Sequence, residues 1–268
     1  MIITLPNFNP NIIEFGPFAI RWYSLAYILG IVFTFFILKK FNAKSKIMGD
    51  KAMEDWFIWA VLGVILGGRL GYVLFYNFGF YSTHPLEILA VWHGGMSFHG
   101  GLIGSITSMF LFAKKYKIDF FKLTDVIAIA TPIGLFFGRL ANFINMELYG
   151  RVTNSNFGVI FPNAGEAPRH PSQLYEAVLE GLLPFIILFL LANFTKSLQK
   201  RGLISGLFLI FYASARIFVE QFREPDVNLG FIFDHVTMGQ MLSVPIMLFG
   251  LILIFRAKIT IDAETDQN

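Results

Sequence analysis

The chain contains no cysteine, which excludes disulfides, thiolate metal sites, iron–sulfur clusters and a cysteine nucleophile. Charge is scarce as well: 15% of the 268 residues are Asp, Glu, Lys or Arg, against roughly 25% in soluble domains. Low-complexity tracts and a separate soluble globular domain are both missing. The opening MIITLPNFNP has no basic residue, so nothing there reads as a cleaved signal peptide, and the first apolar stretch is expected to stay as an anchor.

What the chain has in excess is apolar. Its hydrophobic fraction is 55%, with 32 Phe and a mean hydropathy of +0.62, which excludes disorder. A spanning helix needs about 20 mostly apolar residues to cross roughly 30 Å of hydrocarbon while satisfying its own backbone. Seven segments qualify, near residues 18–39, 55–76, 94–113, 124–144, 174–195, 203–222 and 235–256. The expected fold is all-α, a polytopic membrane protein of seven transmembrane helices with a small cap on the outer face. Residues 1–17 form an outer segment, 18–144 the first four spans, 145–173 the cap, 174–256 the last three spans and 257–268 a cytoplasmic tail. The cap, rich in Asn, Gly and Pro, is long enough to be ordered and too short for a core of its own. No inverted repeat is visible, which counts against the commonest transporter architectures.

Orientation follows from the basic residues of the short loops, which stay in the cytoplasm. All twelve lysines fall on one side: Lys39, Lys40, Lys44, Lys46 and Lys51 after span one, Lys114, Lys115, Lys117 and Lys122 after span three, Lys196 and Lys200 after span five, and Lys258 after span seven. Arg201 and Arg256 join them. The other side carries only arginines, Arg21, Arg151, Arg169 and Arg223. The N-terminus is therefore expected outside and the C-terminus inside.

Three arginines lie within spans: Arg69, Arg139 and Arg216. Each costs roughly 2.5 to 3.5 kcal/mol to insert, so the three together cost about 8 to 10 kcal/mol before any partner compensates. They must face one another's counter-ions or a polar cavity. For Arg69, in GGRLGYVLFYN, an internal salt-bridge lock between closely packed helices is as good a reading as a functional one. Around Arg139 the chain reads GRLANFINMELYGR, where Arg139, Asn142 and Asn145 recur at i+3 along one stripe, followed by Glu147, Gly150 and Arg151. Around Arg216 it reads ARIFVEQFREPD, with Arg216, Glu220 and Arg223 on one helix face. The bland reading is an intrahelical ion pair of about 0.3 to 0.5 kcal/mol. The functional one is an arginine held for an external phosphate, which the planar guanidinium fork matches bidentately.

Two further strings are more polar than lipid favours. In WHGGMSFHGGLIG the glycines permit close approach of a neighbour or ligand, and His93 and His99 titrate near neutrality. His93 reads as interfacial, whereas His99 enters span three on the same side as the arginines. In RHPSQLYEAVLEG, Pro171 and Ser172 look like a helix start, and Glu176 with Glu180 forms an i, i+4 carboxylate pair. Those acids either balance the arginines or take part in chemistry directly. Near the start of span one, Trp22 suits the aromatic belt, and Tyr23 can supply a hydroxyl.

Together these groups describe a cavity toward the outer leaflet for an anionic lipid headgroup. Arginines there meet the charge that develops on a departing phosphate, and a general base deprotonates an incoming nucleophile. Without cysteine or a Ser-His-Asp set, that nucleophile comes from the substrate. An intramembrane serine protease using Ser97 is disfavoured, since Ser97 and His99 are two apart and point to different sides of a helix. The remaining alternative is an anionic-lipid transporter or flippase with an arginine-lined cavity, but no matching polar cluster marks the cytoplasmic side.

The strings HGGMSFHGG, GRLANFINMELYGR, RHPSQLYEAVLEG and FREPD, from about Tyr23 to Ser243, resemble those of phosphatidylglycerol:prolipoprotein diacylglyceryl transferases. The resemblance implies a bacterial plasma-membrane enzyme of seven spans, N-out and C-in. Such an enzyme moves the diacylglyceryl group of phosphatidylglycerol to the lipobox cysteine thiol of a prolipoprotein, releasing glycerol phosphate. It implies no cofactor or metal, and partners that are lipid and prolipoprotein rather than nucleic acid. By resemblance, Arg139 and Arg216 take the phosphate with Glu220 and Arg223 beside them. Asn142, Glu147 and Gly150 form the essential motif, and His99 and Tyr23 activate or position the thiol, with the base left between them. The cap segment 151–170 is shorter than in some members.

Overall fold

The computed structural model describes residues 2–6, 8–15, 18–225, 230–232 and 236–257. Lys258 and the tail beyond it, Asp226 of the FREPD string and the first residue expected in span seven lie outside the described residues. In chain order the elements begin with strands β1 (Ile3–Thr4), β2 (Asn11–Phe15) and β3 (Phe18–Arg21). Helices α1 (Trp22–Ser45), α2 (Asp50–Phe75), α3 (Phe78–Thr83), α4 (Phe98–Tyr116) and α5 (Phe120–Ile144) follow, then strand β4 (Val159–Ile160). Helices α6 (Ser172–Glu176) and α7 (Leu183–Phe194) are joined by a π-turn over Ala177–Leu182, and α8 (Leu203–Val219) and α9 (Met238–Arg256) complete the order.

Among the described residues, five helices are long and apolar enough to cross a membrane: α1, α2, α5, the continuous helix Ser172–Phe194, and α9. The chain is thus a mostly helical, multi-pass membrane protein. Phe36, Leu66, Phe110 and Leu248 are exposed, as lipid-facing side chains are. Of the other two expected spans, α4 has 19 residues but carries glycines, His99 and two lysines, and α8 is short at 17. Element ends also moved. Residues 18–21 pair as a strand instead of opening span one. Gly94 and Gly95 are left-handed, at φ 81° and 77°, so α4 starts only at Phe98, after its cap Ser97. Helix α9 begins at Met238, where Thr237 and Gln240 form a capping box.

The chain divides into two compact units, Lys39–Thr124, and Met1–Leu38 with Asp125–Asn268. In the unit Lys39–Thr124, α2 lies on α4 along small residues spaced by four. A Cβ on Gly67 would stand 2.4 Å from the Gly100 carbonyl and 2.6 Å from the Gly104 Cα, and one on Gly71 would stand 2.6 Å from the Gly100 Cα. In lipid such contact replaces the hydrophobic effect as the force between helices. The Ser108 hydroxyl extends the seam by donating to the Trp59 carbonyl at 2.6 Å.

In the other unit α8 crosses α9 at Gly206 and Gly250, whose carbonyls meet the opposite glycine at 2.8 and 2.9 Å from a built Cβ. The buried Asp125 of α5 caps α8 from outside, accepting from the Gly202 and Ser205 amides and the Ser205 hydroxyl, each at 2.7 Å. The segment between α5 and α6 is ordered by pairing. Strand β1 runs parallel to β4, and Leu5, Met146, Val159 and Phe161 form a small core with Phe143 and Tyr149 packed on it. The cap therefore completes its core with a side chain from the N-terminal segment.

Candidate active site

Pro184 has no N–H for the Glu180 carbonyl and its ring crowds that carbonyl. The helix opens there into the π-turn Ala177–Leu182, a distortion that recurs at functional sites. Gly181 in this turn lets α5 come close: a Cβ there would meet the Phe136 Cβ and backbone at 2.7 to 2.9 Å. One helical turn beyond Phe136 stands Arg139.

Arg139 reaches Glu176 at 3.3 Å and Glu180 at 3.1 Å. Arg216 reaches the same two acids at 2.5 and 3.6 Å, and Glu220 at 2.5 Å. Arg223 approaches Glu176 at 3.3 Å and Glu220 at 3.9 Å. Helix α9 closes on this cluster through Gly239, where a Cβ would stand 2.5 Å from the Glu220 carboxylate. Three guanidinium groups face three carboxylates, so formal charge cancels within the cluster. The arrangement is layered: the Glu176 and Glu180 side chains have no exposure, whereas those of Arg139 and Arg216 keep 15% and 13%. The unexposed carboxylates fix the two arginines, whose side chains keep partial exposure.

A second network starts one turn later on α5. Met146 and Leu148 have φ of 54° and 55°, strained for non-glycine residues. The resulting turn folds Glu147 back toward α5. The Asn142 amide donates to Glu147 Oε1 and to the Tyr23 hydroxyl, both at 2.9 Å, and the Asn145 amide donates to Glu147 Oε1 at 3.4 Å. The expected single stripe of Arg139, Asn142 and Asn145 thus divides, with the guanidinium turned to the acids of α6 and the π-turn and the amides turned to Glu147 and Tyr23. Gln173, fully buried, donates to the Glu147 carbonyl at 2.7 Å and so ties this network to α6.

Gly150 allows a backbone crossing. A Cβ would lie 2.5 Å from the His170 and Phe222 carbonyls, and the residue bridges to Arg223. Arg151 donates to the carbonyls of Arg223 at 2.8 Å and Glu220 at 3.1 Å, which fastens the cap to the end of α8. His170 packs on Tyr175 and Phe222, and burial lowers its pKa below the ordinary histidine value.

His99 belongs to the unit Lys39–Thr124 and is exposed on the first turn of α4, in ring contact with Phe98. His93 pairs with Glu87 at 2.9 Å on the surface. The Ser97 hydroxyl accepts from the Gly100 amide as the cap of α4. Arg69 also differs from expectation. Its guanidinium donates to the carbonyls of Glu87, Ile88, Ala90, Gly94 and Gly95 and lies over the Tyr81 ring. Pro85–Leu89 and Val91–His93 form only short 3-10 turns, and Arg69 gathers five carbonyls of this segment, two of which, those of Glu87 and Ala90, also accept a turn amide. The glycines of HGGMSFHGG are likewise used by α2, and by a neighbour rather than a ligand. Sequence reasoning missed Gln173, Gly181 and Gly239, none of which is foreign to its surroundings by type.

The prolipoprotein diacylglyceryl transferase family matches residues 10–256. The chain is 55% identical over 257 residues to the phosphatidylglycerol–prolipoprotein diacylglyceryl transferase of Rickettsia akari (strain Hartford), covering 96% of this chain and 99% of that protein. It is 56% identical to the protein of that name from Rickettsia felis (strain ATCC VR-1525 / URRWXCal2), with the same coverage. To that from Rickettsia typhi (strain ATCC VR-144 / Wilmington) it is 55% identical over 253 residues, 94% of this chain and 98% of that one. With a family match over nearly the whole length and relatives this close, the chain belongs to the prolipoprotein diacylglyceryl transferase family of bacterial membrane enzymes.

Proposed function

We propose that the chain transfers the diacylglyceryl group of phosphatidylglycerol to the lipobox cysteine thiol of a prolipoprotein, with Arg139 and Arg216 on the lipid phosphate. The observation that carries this reading is the layered cluster, in which fully buried carboxylates fix two arginines whose side chains keep partial exposure. The thiolate attacks the sp3 glyceryl carbon that bears the phosphate. A C–S bond forms, the C–O bond breaks, and its electron pair leaves on glycerol phosphate. No carbonyl is attacked, so the stabilisation needed is of charge on phosphate oxygens, which a preorganised guanidinium provides without reorganisation. A free thiol of pKa about 8.5 is only slightly ionised at pH 7, and a base speeds attack. His99 suits that step by type, since a phenol with a pKa near 10 is a poor proton acceptor at neutral pH. Tyr23, whose oxygen already accepts from Asn142, keeps its O–H to orient the substrate, and Glu147 holds Asn142 in place. Glu220 and Arg223 position Arg216.

The same reading takes α4 and α8 as the two remaining spans, third and sixth in chain order, with the N-terminus outside, the lysine-rich loops in the cytoplasm and the site at the outer leaflet of the bacterial plasma membrane. The test is to incubate purified protein with phosphatidylglycerol and a lipobox peptide and identify the products by mass spectrometry. A thioether-linked diacylglyceryl peptide with an equal amount of glycerol phosphate is expected. Peptide cleavage without adduct, or lipid movement without chemistry, overturns the reading.

A further inference from the structure

Gln173 holds an acceptor that the network leaves unused. Its side chain is fully buried and its Nε2 donates to the Glu147 carbonyl at 2.7 Å. Only the amide nitrogen can donate to a carbonyl, so this bond fixes which end points where. Oε1 is then buried with no partner among the described residues. Asn145 repeats the pattern: its amide donates to the Glu147 carboxylate at 3.4 Å, and its Oδ1 is also buried and unpartnered. Buried acceptors without a donor are uncommon because the lost hydrogen bond is not replaced, and here two flank one residue. Gln173 precedes Glu176 by three positions on the same helix, which places both on one face, and Glu176 is the carboxylate that holds Arg139, Arg216 and Arg223.

The chemistry of these neighbours is complementary. Guanidinium groups donate and never accept, so the arginines bind a phosphate whatever alcohol it is esterified to. Two amide oxygens only accept, and their natural partners are hydroxyl groups next to that phosphate. We infer that Gln173 Oε1, together with Asn145 Oδ1, accepts hydrogen bonds from the headgroup hydroxyls of the lipid donor and so selects a polyol phosphodiester over one whose alcohol has no further hydroxyl. The inference rests on the function proposed above and adds the residues that read the departing half of the lipid.

The experiment compares kcat/KM for phosphatidylglycerol and for phosphatidylpropanol, which keeps the phosphate and diacylglyceryl group and lacks the headgroup hydroxyls. Wild-type enzyme is expected to prefer phosphatidylglycerol by roughly tenfold or more, the worth of one or two hydrogen bonds. Gln173→Met, of similar length, is expected to lower the rate for phosphatidylglycerol more than that for the analogue, so that the ratio falls toward one. Asn145→Ala, a milder truncation, gives the same direction should Gln173→Met not fold. A ratio that stays at the wild-type value while both rates fall means Gln173 only supports the fold, and overturns the inference. Equal use of both lipids by the wild type overturns it without any variant. Absence of a thioether product with wild-type enzyme and phosphatidylglycerol is a different failure, that of the transferase reading itself.

Discussion

At the scale of single residues, the arginines were legible because their type is costly in lipid. Their partners were legible only as alternatives. Glu176 and Glu180 read equally well as balancing charges or as direct participants, and the geometry answers for balance: Glu176 touches three arginines and has no exposure. Removing one partner from a buried ionic cluster typically costs about 3 to 5 kcal/mol, because the remaining charges stay buried without compensation. Glu176→Gln is accordingly expected to destabilise the protein by about that amount, read as a lowered unfolding midpoint in detergent micelles, and a loss below about 1 kcal/mol would show that the arginines hold themselves in place. Gln173 and Gly239 escaped notice for a physical reason. Nothing in their type is foreign to a helix end, and their significance comes from partners 26 residues away, at Glu147, and 19 away, at Glu220.

At the scale of elements, hydropathy located the five helices long and apolar enough to span, and local stereochemistry decided where elements end. Gly94 and Gly95 delay α4, a capping box sets the start of α9, and Pro184 opens the helix that carries both acids. The glycines of GGRLG and HGGLIG were read as close-approach positions, and α2 against α4 is that approach. Gly67→Ala sets a methyl 2.4 Å from a backbone oxygen that cannot move as a side chain would. Overpacking of this kind costs about 1 to 3 kcal/mol. Gly79→Ala in α3 meets nothing within 4 Å and is expected to leave stability unchanged or slightly raised. Circular-dichroism melts of the two variants in one detergent provide the comparison, and equal behaviour of both would contradict the packing of α2 on α4 through this seam.

At the scale of the whole molecule, the one-sided lysines carry the expected orientation, while the pairings that order the cap and the N-terminal strands were not legible. Their order rests on pairings such as Ile3 with Val159, far apart in sequence and unmarked by composition. Because the chain has no cysteine, orientation is open to a clean test. Cysteine placed at exposed Lys51 or at exposed Asn154 is labelled in intact cells by a membrane-impermeant maleimide only if it faces outward. Labelling is expected at Asn154→Cys and, without permeabilisation, absent at Lys51→Cys, and the reverse pattern would invert the site's leaflet.

Transferase chemistry driven by arginines that buried carboxylates hold in place is tested most directly by the initial rate of glycerol phosphate release at saturating phosphatidylglycerol and lipobox peptide. The measurement compares wild-type protein with Arg216→Ala. Loss of a preorganised donor to developing charge typically lowers kcat by about 10² to 10³, and a fall of that size with the protein still folded is the expected result. Turnover within a few-fold of wild type would contradict the phosphate role of Arg216 and the central place given to the cluster.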